Sequence, residues 1–190
     1  MLATAAALLI LAAPPTPKSN EKAFKELLSK AKVVWTTPPP GLKEVPIEAN
    51  RAMNYDYALR DDAKTLEVRI AVRLPQPPPP ADPKSKTVMV PEENVFPALV
   101  QATMLNLSNG EAAQQPKAFS QKAVSMEFNA DSGFTTFVEP RAEGWTAFKN
   151  CMFFAIRKAG AAEVYVFFLF DDFPSVEGAI RATFHLVKFK

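Results

Sequence analysis

The stretch EVYVFFLF, residues 163–170, constrains the fold most strongly, because every residue after its glutamate is apolar or aromatic. An unbroken run of aromatic and β-branched residues suits a strand that is buried on both faces. The segment before it leaves two alternatives: a helix could continue to Gly160, or MFFAI and EVYVFFLF could form a hairpin through RKAGAA. We favour the hairpin, which predicts a sheet that is covered on both sides.

The clearest alternating strand is 66–74, where apolar side chains occupy one face and Glu67, Arg69 and Arg73 fall on the other. A polar turn at 60–64 joins it to AMNYDYAL, another strand candidate. The two segments are therefore expected to form an antiparallel hairpin.

The remaining periodicities predict further helices and strands. We expect helices over 20–31 and 91–110, a last helix that is capped by Asp172 or Ser175 and continues to 187, and a short one in EGWTAFKN, and strands in KVVWTT, AVSMEFNAD and GFTTFVEP. Strands joined mostly by hairpins predict an α+β domain with a largely antiparallel sheet. Because 163–170 is apolar on both faces, we expect a three-layer α/β/α sandwich. A single domain is predicted over 20–190, with an exposed proline-rich loop at 75–86.

Residues 1–19 are predicted to be an export signal followed by a polar linker. Residues 2–13 are an uncharged apolar run, too short for the roughly 20 residues of a membrane-spanning helix. We therefore expect an exported protein, periplasmic or extracellular, with no transmembrane span once the signal is removed. No Lys or Arg precedes the run, so an uncleaved anchor or a misplaced start codon is the alternative.

Charge and glycine spacing exclude several classes of partner. The 22 basic and 20 acidic residues give a net charge of +2, and the lysines are scattered, whereas a nucleic-acid binder would concentrate them on one face. The 6 glycines are isolated from each other, so no phosphate-binding loop is present in the sequence. We expect neither nucleic acid nor a cofactor to bind.

Four carboxylates are the candidates for chemistry. Asp131 begins the triplet Asp-Ser-Gly found in aspartic proteases, but those enzymes need two such aspartates and this chain has one triplet. A turn, with Gly133 at positive φ, is the favoured interpretation. Asp171 and Asp172 follow the most hydrophobic strand, where they could bind a divalent cation or cap the next helix; capping is favoured. If the fold brought Glu127 to them, the four would form a carboxylate cluster.

Cys151 and His185 are the only residues of their types, so they supply fewer ligands than zinc sites commonly use. They could act together as nucleophile and base, but Cys151 lies among Met152 and two phenylalanines, where a thiol normally behaves as a small buried hydrophobe. A lone cysteine also excludes an intramolecular disulfide. The 15 phenylalanines could line a pocket or a protein-binding face, although filling the core accounts for most of them.

The order of elements resembles the Mog1/PsbP-like proteins over roughly residues 33–190. The resemblance rests on the early Pro-Gly turn in PPPGLKEVPI, on a strand of the kind TLEVRIAVRLP before a helix, and on later hairpins with a closing helix. It implies a non-catalytic binding or assembly protein, and it assigns no site residue. We expect an exported, non-enzymatic domain of the cell envelope that binds a protein or a small apolar ligand. The alternative is a hydrolase or divalent-metal-dependent enzyme that uses the carboxylate cluster.

Overall fold

The computed structural model of the chain describes residues 20–48, 50, 52–63, 65–75, 92–108, 115–141 and 145–190. The predicted export signal and linker at 1–19 lie outside these residues, as does the proline-rich loop predicted at 75–86 except for its first residue. No helix among the described residues is long and apolar enough to cross a membrane.

The described part of the chain contains four helices and nine strands. The helices are α1 (Glu21–Lys30), α2 (Glu92–Leu107), α3 (Gln121–Phe128) and α4 (Phe173–Thr183). The strands are β1 (Val33–Trp35), β2 (Leu42–Glu44), β3 (Tyr57–Asp61), β4 (Leu66–Arg73), β5 (Lys117–Ala118), β6 (Ser132–Val138), β7 (Asn150–Lys158), β8 (Ala162–Phe170) and β9 (Val187–Phe189).

Seven strands form one sheet in the order β2-β3-β4-β8-β7-β6-β5, and β1 pairs separately with β9. All neighbouring strands are antiparallel. The hydrophobic strand β8 lies at the centre, where it pairs with β4 on one side and β7 on the other. The α+β class with an antiparallel sheet is confirmed, as are the two predicted hairpins, β3–β4 and β7–β8.

Alternate residues of β8 belong to two separate hydrophobic clusters. Successive side chains of a strand point to opposite faces of the sheet, so the two clusters mark the two faces. Residues of α1, α3 and α4 belong to the first cluster, with Val164, Val166, Phe168 and Phe170 of β8. Residues of α2 belong to the second, with Tyr165, Phe167 and Leu169. The expected burial of this strand on both faces is confirmed.

The C-terminal end of α2 is fixed to the sheet by Arg141, which follows β6. The Arg141 backbone N–H donates to the carbonyl of Leu107 at 2.8 Å, and its Nε donates to the carbonyl of Ser108 at 2.5 Å. These bonds satisfy carbonyls that the helix leaves without partners, and a cation there is favourable because this end of a helix is negative. The inner face of α2 is thereby held against the second cluster.

The segment AVSMEFNAD is not the predicted strand, since residues 121–128 form α3. Val124 and Phe128 alternate with their neighbours but are also four residues apart, and both are buried on one helical face. The Ser120 side chain caps this helix by accepting from Ala123 N, and Asn129 ends it in the left-handed conformation at φ 50°. The spacing of the apolar residues suits both a strand and a helix, and the capping residues favour the helix.

Two other predictions near the end of the chain were wrong. Residues 145–149 are irregular rather than helical, because side chains accept the backbone N–H groups: Thr146 Oγ1 bonds Phe148 N, and Asp171 Oδ1 bonds Lys149 N. The last helix stops at Thr183 and the chain continues into β9, which the sequence did not predict. Strand β9 forms because β1 is available to pair with it.

Candidate functional site

Asp131 has a structural role at the junction between α3 and β6. Its backbone N–H donates to the carbonyl of Arg157 at 2.8 Å, and its Oδ2 accepts from Ala159 N at 2.7 Å. The carboxylate thus ties this connection to the turn between β7 and β8. The turn interpretation of the triplet is wrong, because Ser132 and Gly133 already lie within β6 and the connection joins a helix to a strand, not two strands.

Gly133 is needed for close packing and not for a positive φ, which corrects the sequence prediction. It lies within β6, and its φ is not among the positive values of the described backbone. A Cβ placed on it would lie 2.8 Å from Phe119 Cδ2 and 3.1 Å from the carbonyl oxygen of Ala155. Glycine is therefore required by the approach of neighbouring chain segments.

The pair Asp171-Asp172 divides into two structural roles. Asp172 is the N-cap of α4 and accepts from Ser175 N at 3.2 Å, as predicted. Asp171 accepts from Lys149 N at 2.9 Å, and its carbonyl accepts from Asn150 Nδ2 at 2.9 Å. Asp171 therefore orders the segment that leads into β7.

The four candidate carboxylates do not form one cluster. Asp131 bonds the end of β7 and Asp171 bonds its beginning, and this 9-residue strand is about 30 Å long. Glu127 instead pairs with His185, its Oε2 lying 3.1 Å from Nε2, and both side chains are about half exposed. Among the described residues, no three His, Cys, Asp or Glu side chains are grouped so that they could hold a metal ion.

Cys151 and His185 do not meet either. Cys151 is fully buried in the second cluster, whereas the His185 ring stacks on Phe128, a residue of the first cluster on the other sheet face. Burial raises the pKa of the Cys151 thiol far above its usual range, although the nearby Arg69 acts in the opposite direction. The thiol is therefore held in its unreactive, protonated form.

A buried ion-pair network lies on the second face of the sheet, where the alternation of β4 had suggested only a polar face. Glu67 and Arg69 are 1% and 2% exposed. Arg60 Nε and Arg69 Nε each donate to a different Glu67 carboxylate oxygen, both at 2.6 Å, and Arg60 Nη2 also contacts Glu67. One carboxylate thus binds two guanidinium groups, which leaves a net charge of +1.

Aromatic rings hold Arg69 in place. Its guanidinium carbon lies 4.7 Å from the centre of the Tyr55 ring and 5.3 Å from that of Trp145, and its Nη1 donates to the carbonyl of Trp145 at 2.6 Å. Both distances are within the range of cation–π attraction. Trp145 itself is buried, and its Nε1 has no hydrogen-bond partner among the described residues.

A surface cleft of about 400 Å³ opens over this network. We call it the arginine cleft; it is lined by Glu48, Arg60, Glu67, Arg69, Thr146, Ala147, Phe148 and Asp171. Its volume is within the range of sites for small molecules. Asp171 is the only one of the four predicted site residues that lines it. The cleft can present both a guanidinium group and carboxylates to one small ligand.

One signal in the sequence indicates that charged residues are buried in the sheet, but it does not identify them. Because β8 is apolar on both faces, any strand paired with it must also be covered on both faces near the centre of the sheet, including its charged positions. The sequence placed Glu67 and Arg69 only on the face of β4 opposite its apolar residues, because the pairing of β4 with β8 is set by strand order. Nothing in the local pattern of β4 predicts that neighbour.

A second surface feature is the outer face of α2, which is apolar and exposed. Its large side chains, Val95, Leu99 and Leu105, are 38%, 41% and 44% exposed. Ala98 and Ala102 lie between them at helical spacing and are also exposed. We call these five residues the α2 stripe. Glu92 and Glu93 are the only charged residues in the helix sequence.

No protein-family model matches the chain, and comparison with curated proteins and with solved structures finds no match. The resemblance to the Mog1/PsbP-like proteins stays a prediction.

Proposed function

We propose that the protein is an exported, non-enzymatic binding or assembly domain of the cell envelope, and that it binds another protein through the α2 stripe. The observation that carries this proposal is the stripe itself. Val95, Leu99 and Leu105 stay partly exposed to water although the inner face of the same helix is buried. Contiguous exposed apolar side chains on a soluble protein commonly mark a binding surface.

The charges of α2 favour a protein over a lipid surface as the partner. Helices that bind the membrane interface carry Lys or Arg, which attract anionic headgroups. The sequence of α2 contains neither, and its two charged residues are the glutamates at its N-terminal end. These glutamates would be repelled by anionic headgroups, whereas an apolar helix or strand of a partner protein would not repel them.

A small apolar ligand is the less favoured alternative for the binding proposal. Both the arginine cleft and a second cleft, lined by Glu21, Lys22, Lys25, Glu26 and Ser29 of α1, have charged linings. Charged linings of this kind do not suit an apolar ligand. A hydrolase or metal-dependent enzyme would need the carboxylate cluster, whose members lie apart, so we do not propose it.

The fold proposal extends the α+β class to a three-layer α/β/α sandwich of the Mog1/PsbP-like kind. Two hydrophobic clusters on opposite sheet faces support it, one with residues of α1, α3 and α4 and the other with residues of α2. Export is proposed from the apolar run at 2–13.

The test is recovery of a partner by affinity purification from the native cell envelope. We compare the wild type with Leu99→Glu and Leu105→Glu, which place a charge in the stripe. Met126→Glu is the matched control, because Met126 is 66% exposed but lies on α3, which packs on the other sheet face. Thermal unfolding should show that all variants stay folded, since substitutions at exposed positions usually change stability little.

The proposal expects one protein that is recovered with the wild type and with Met126→Glu and is lost with both stripe variants. A standard interface buries about 800 Å² on each partner, so that protein should also contact the polar surface around the stripe. Recovery that does not change in the stripe variants would contradict the proposal, and so would binding to lipid vesicles alone.

A further inference from the structure

We propose that the arginine cleft binds a small zwitterion of the apolar α-amino-acid class. The inference is independent of the α2 stripe and concerns a different surface. It rests on three observations: a partly exposed guanidinium group, carboxylates on the same cleft, and an aromatic side chain beside them.

Arg60 supplies the group that would bind the ligand carboxylate. Its side chain is 31% exposed, whereas those of Glu67 and Arg69 are almost fully buried. Glu67 is contacted by Nε and Nη2 of Arg60, so Nη1 is the guanidinium nitrogen that these contacts do not use. Arginine suits a carboxylate because its planar donors match the two oxygens.

The buried network gives Arg60 a fixed position. Glu67 binds it from one side, and Glu67 is in turn held by Arg69, which is packed between Tyr55 and Trp145. A side chain held in this way loses little conformational freedom when a ligand binds. The net charge of +1 on the three network residues is compensated by an incoming carboxylate.

Glu48 and Asp171 supply the groups that would bind the ligand ammonium. Glu48 is exposed, and its backbone N–H donates to the Tyr55 hydroxyl at 2.9 Å, which connects its segment to the ring over Arg69. Asp171 uses Oδ1 to accept from Lys149 N, and its Oδ2 is not used by that bond. Two carboxylates beside a guanidinium group favour a ligand that carries both charges.

The mixed charge of the cleft disfavours ligands that carry charges of only one sign. A dianion would meet Glu48 and Asp171, and a cation without a carboxylate would meet Arg60. The apolar part of the ligand has Phe148 and Ala147 to contact. A cleft of about 400 Å³ accommodates an amino acid of the size of leucine.

The experiment is isothermal titration of the full chain with glycine, L-alanine, L-leucine and L-phenylalanine. N-acetyl-L-leucine, which lacks the ammonium charge, and L-leucine methyl ester, which lacks the carboxylate, are the matched probes. We expect L-leucine to bind, and we expect the affinity for each derivative to be lower by a factor of about ten or more, because each derivative loses a charge-assisted hydrogen bond.

Variants assign each half of the ligand to its partner. Glu48→Gln should reduce the preference for L-leucine over its N-acetyl derivative, because Asp171 alone then binds the ammonium, while keeping the preference over the methyl ester. Arg60→Lys keeps the charge that balances Glu67 but loses the planar donors, so it should weaken the preference over the methyl ester. Asp171→Asn should lower the affinity for L-leucine, while Asp172→Asn, at the neighbouring α4 cap, should leave it unchanged.

The proposal is overturned if none of the four amino acids binds at concentrations up to roughly 10 mM. It is also overturned if L-leucine and its two derivatives bind equally well, or if Asp171→Asn and Asp172→Asn have the same effect. Glu48→Gln does not touch the buried network, so its result is informative even if Arg60→Lys fails to fold. Leu99→Glu should bind L-leucine normally, which separates this site from the α2 stripe.

Discussion

Replacement of Glu67 by glutamine should destabilise the fold strongly, because it removes the only carboxylate between Arg60 and Arg69 in the buried network. Glu67 is 1% exposed and accepts from both guanidinium groups at 2.6 Å. Glutamine has nearly the same shape as glutamate, so the substitution removes the charge and changes the packing little.

The expected size follows from the burial of each partner. Removing one member of a buried ion pair typically costs about 3–5 kcal/mol, because the other charge stays buried without compensation. Arg69 stays buried, whereas Arg60 is 31% exposed and can turn towards water. We therefore expect a loss near the lower limit, about 3 kcal/mol in the free energy of unfolding.

Urea denaturation followed by circular dichroism measures this loss. Glu177→Gln is the matched control, since Glu177 pairs with Arg181 on the exposed face of α4 and should change stability by less than about 0.5 kcal/mol. The double variant Glu67→Leu with Arg69→Met, which replaces charges by apolar groups, should be more stable than Glu67→Gln. A loss below about 1 kcal/mol for Glu67→Gln would show that the charge of Glu67 contributes little to stability, contrary to this prediction, as would a double variant no more stable than Glu67→Gln.

Three further predictions concern single residues. Gly133→Ala should lower the free energy of unfolding by about 1–3 kcal/mol, since its Cβ would lie 2.8 Å from a phenylalanine ring carbon. Gly178→Ala should raise the free energy of unfolding by about 0.5–1 kcal/mol, because Gly178 lies inside α4 and a Cβ there would have nothing within 4 Å. If both glycine variants changed stability with the same sign in urea unfolding, the packing argument would be contradicted. Cys151, whose pKa is raised by burial, should react with a thiol reagent only after unfolding, and rapid modification of the native protein would show that the thiol is accessible. Burial and the charge of Glu44 raise the pKa of Tyr57 from 10.0 to about 12, so its stabilising contribution should be complete below pH 10 and be lost between pH 10 and 12. Tyr57→Phe should lose less stability over that range, and parallel curves of stability against pH would disprove the shift.

The central strands could be predicted from the sequence because their residue types and alternation favour strands. Strand β8 has no polar position after Glu163, and β4 alternates along its whole length. The alternation of β4 and the aromatic and β-branched residues of β8 favour strands over helices, so the two hairpins and the burial of β8 on both faces were predicted correctly.

The segments with two compatible periodicities could not be predicted. In α3, Val124 and Phe128 suit both an alternating strand and one face of a helix, and the Ser120 cap favours the helix. Strand β9 exists through its pairing with β1, a contact between distant parts of the chain. The sequence around Val187 contains no sign of that partner.

The candidate site depended on the same kind of long-range information. The four carboxylates were judged by their own surroundings in the sequence, and the fold separates Asp131 from Asp171 by the length of β7. Glu67 and Arg69 are buried because β4 lies beside β8 in the sheet. Strand order, which local patterns do not fix, therefore decides which charged residues meet.

Site-specific photo-crosslinking in the cell envelope, the proposed location of the protein, tests most directly whether the α2 stripe binds a protein. A photoreactive amino acid placed at Ala102, in the middle of the stripe, is compared with one at Met126 on α3. We expect one discrete protein adduct from position 102 that is absent from position 126. The same adducts from both positions, or no protein adduct from position 102, would contradict it.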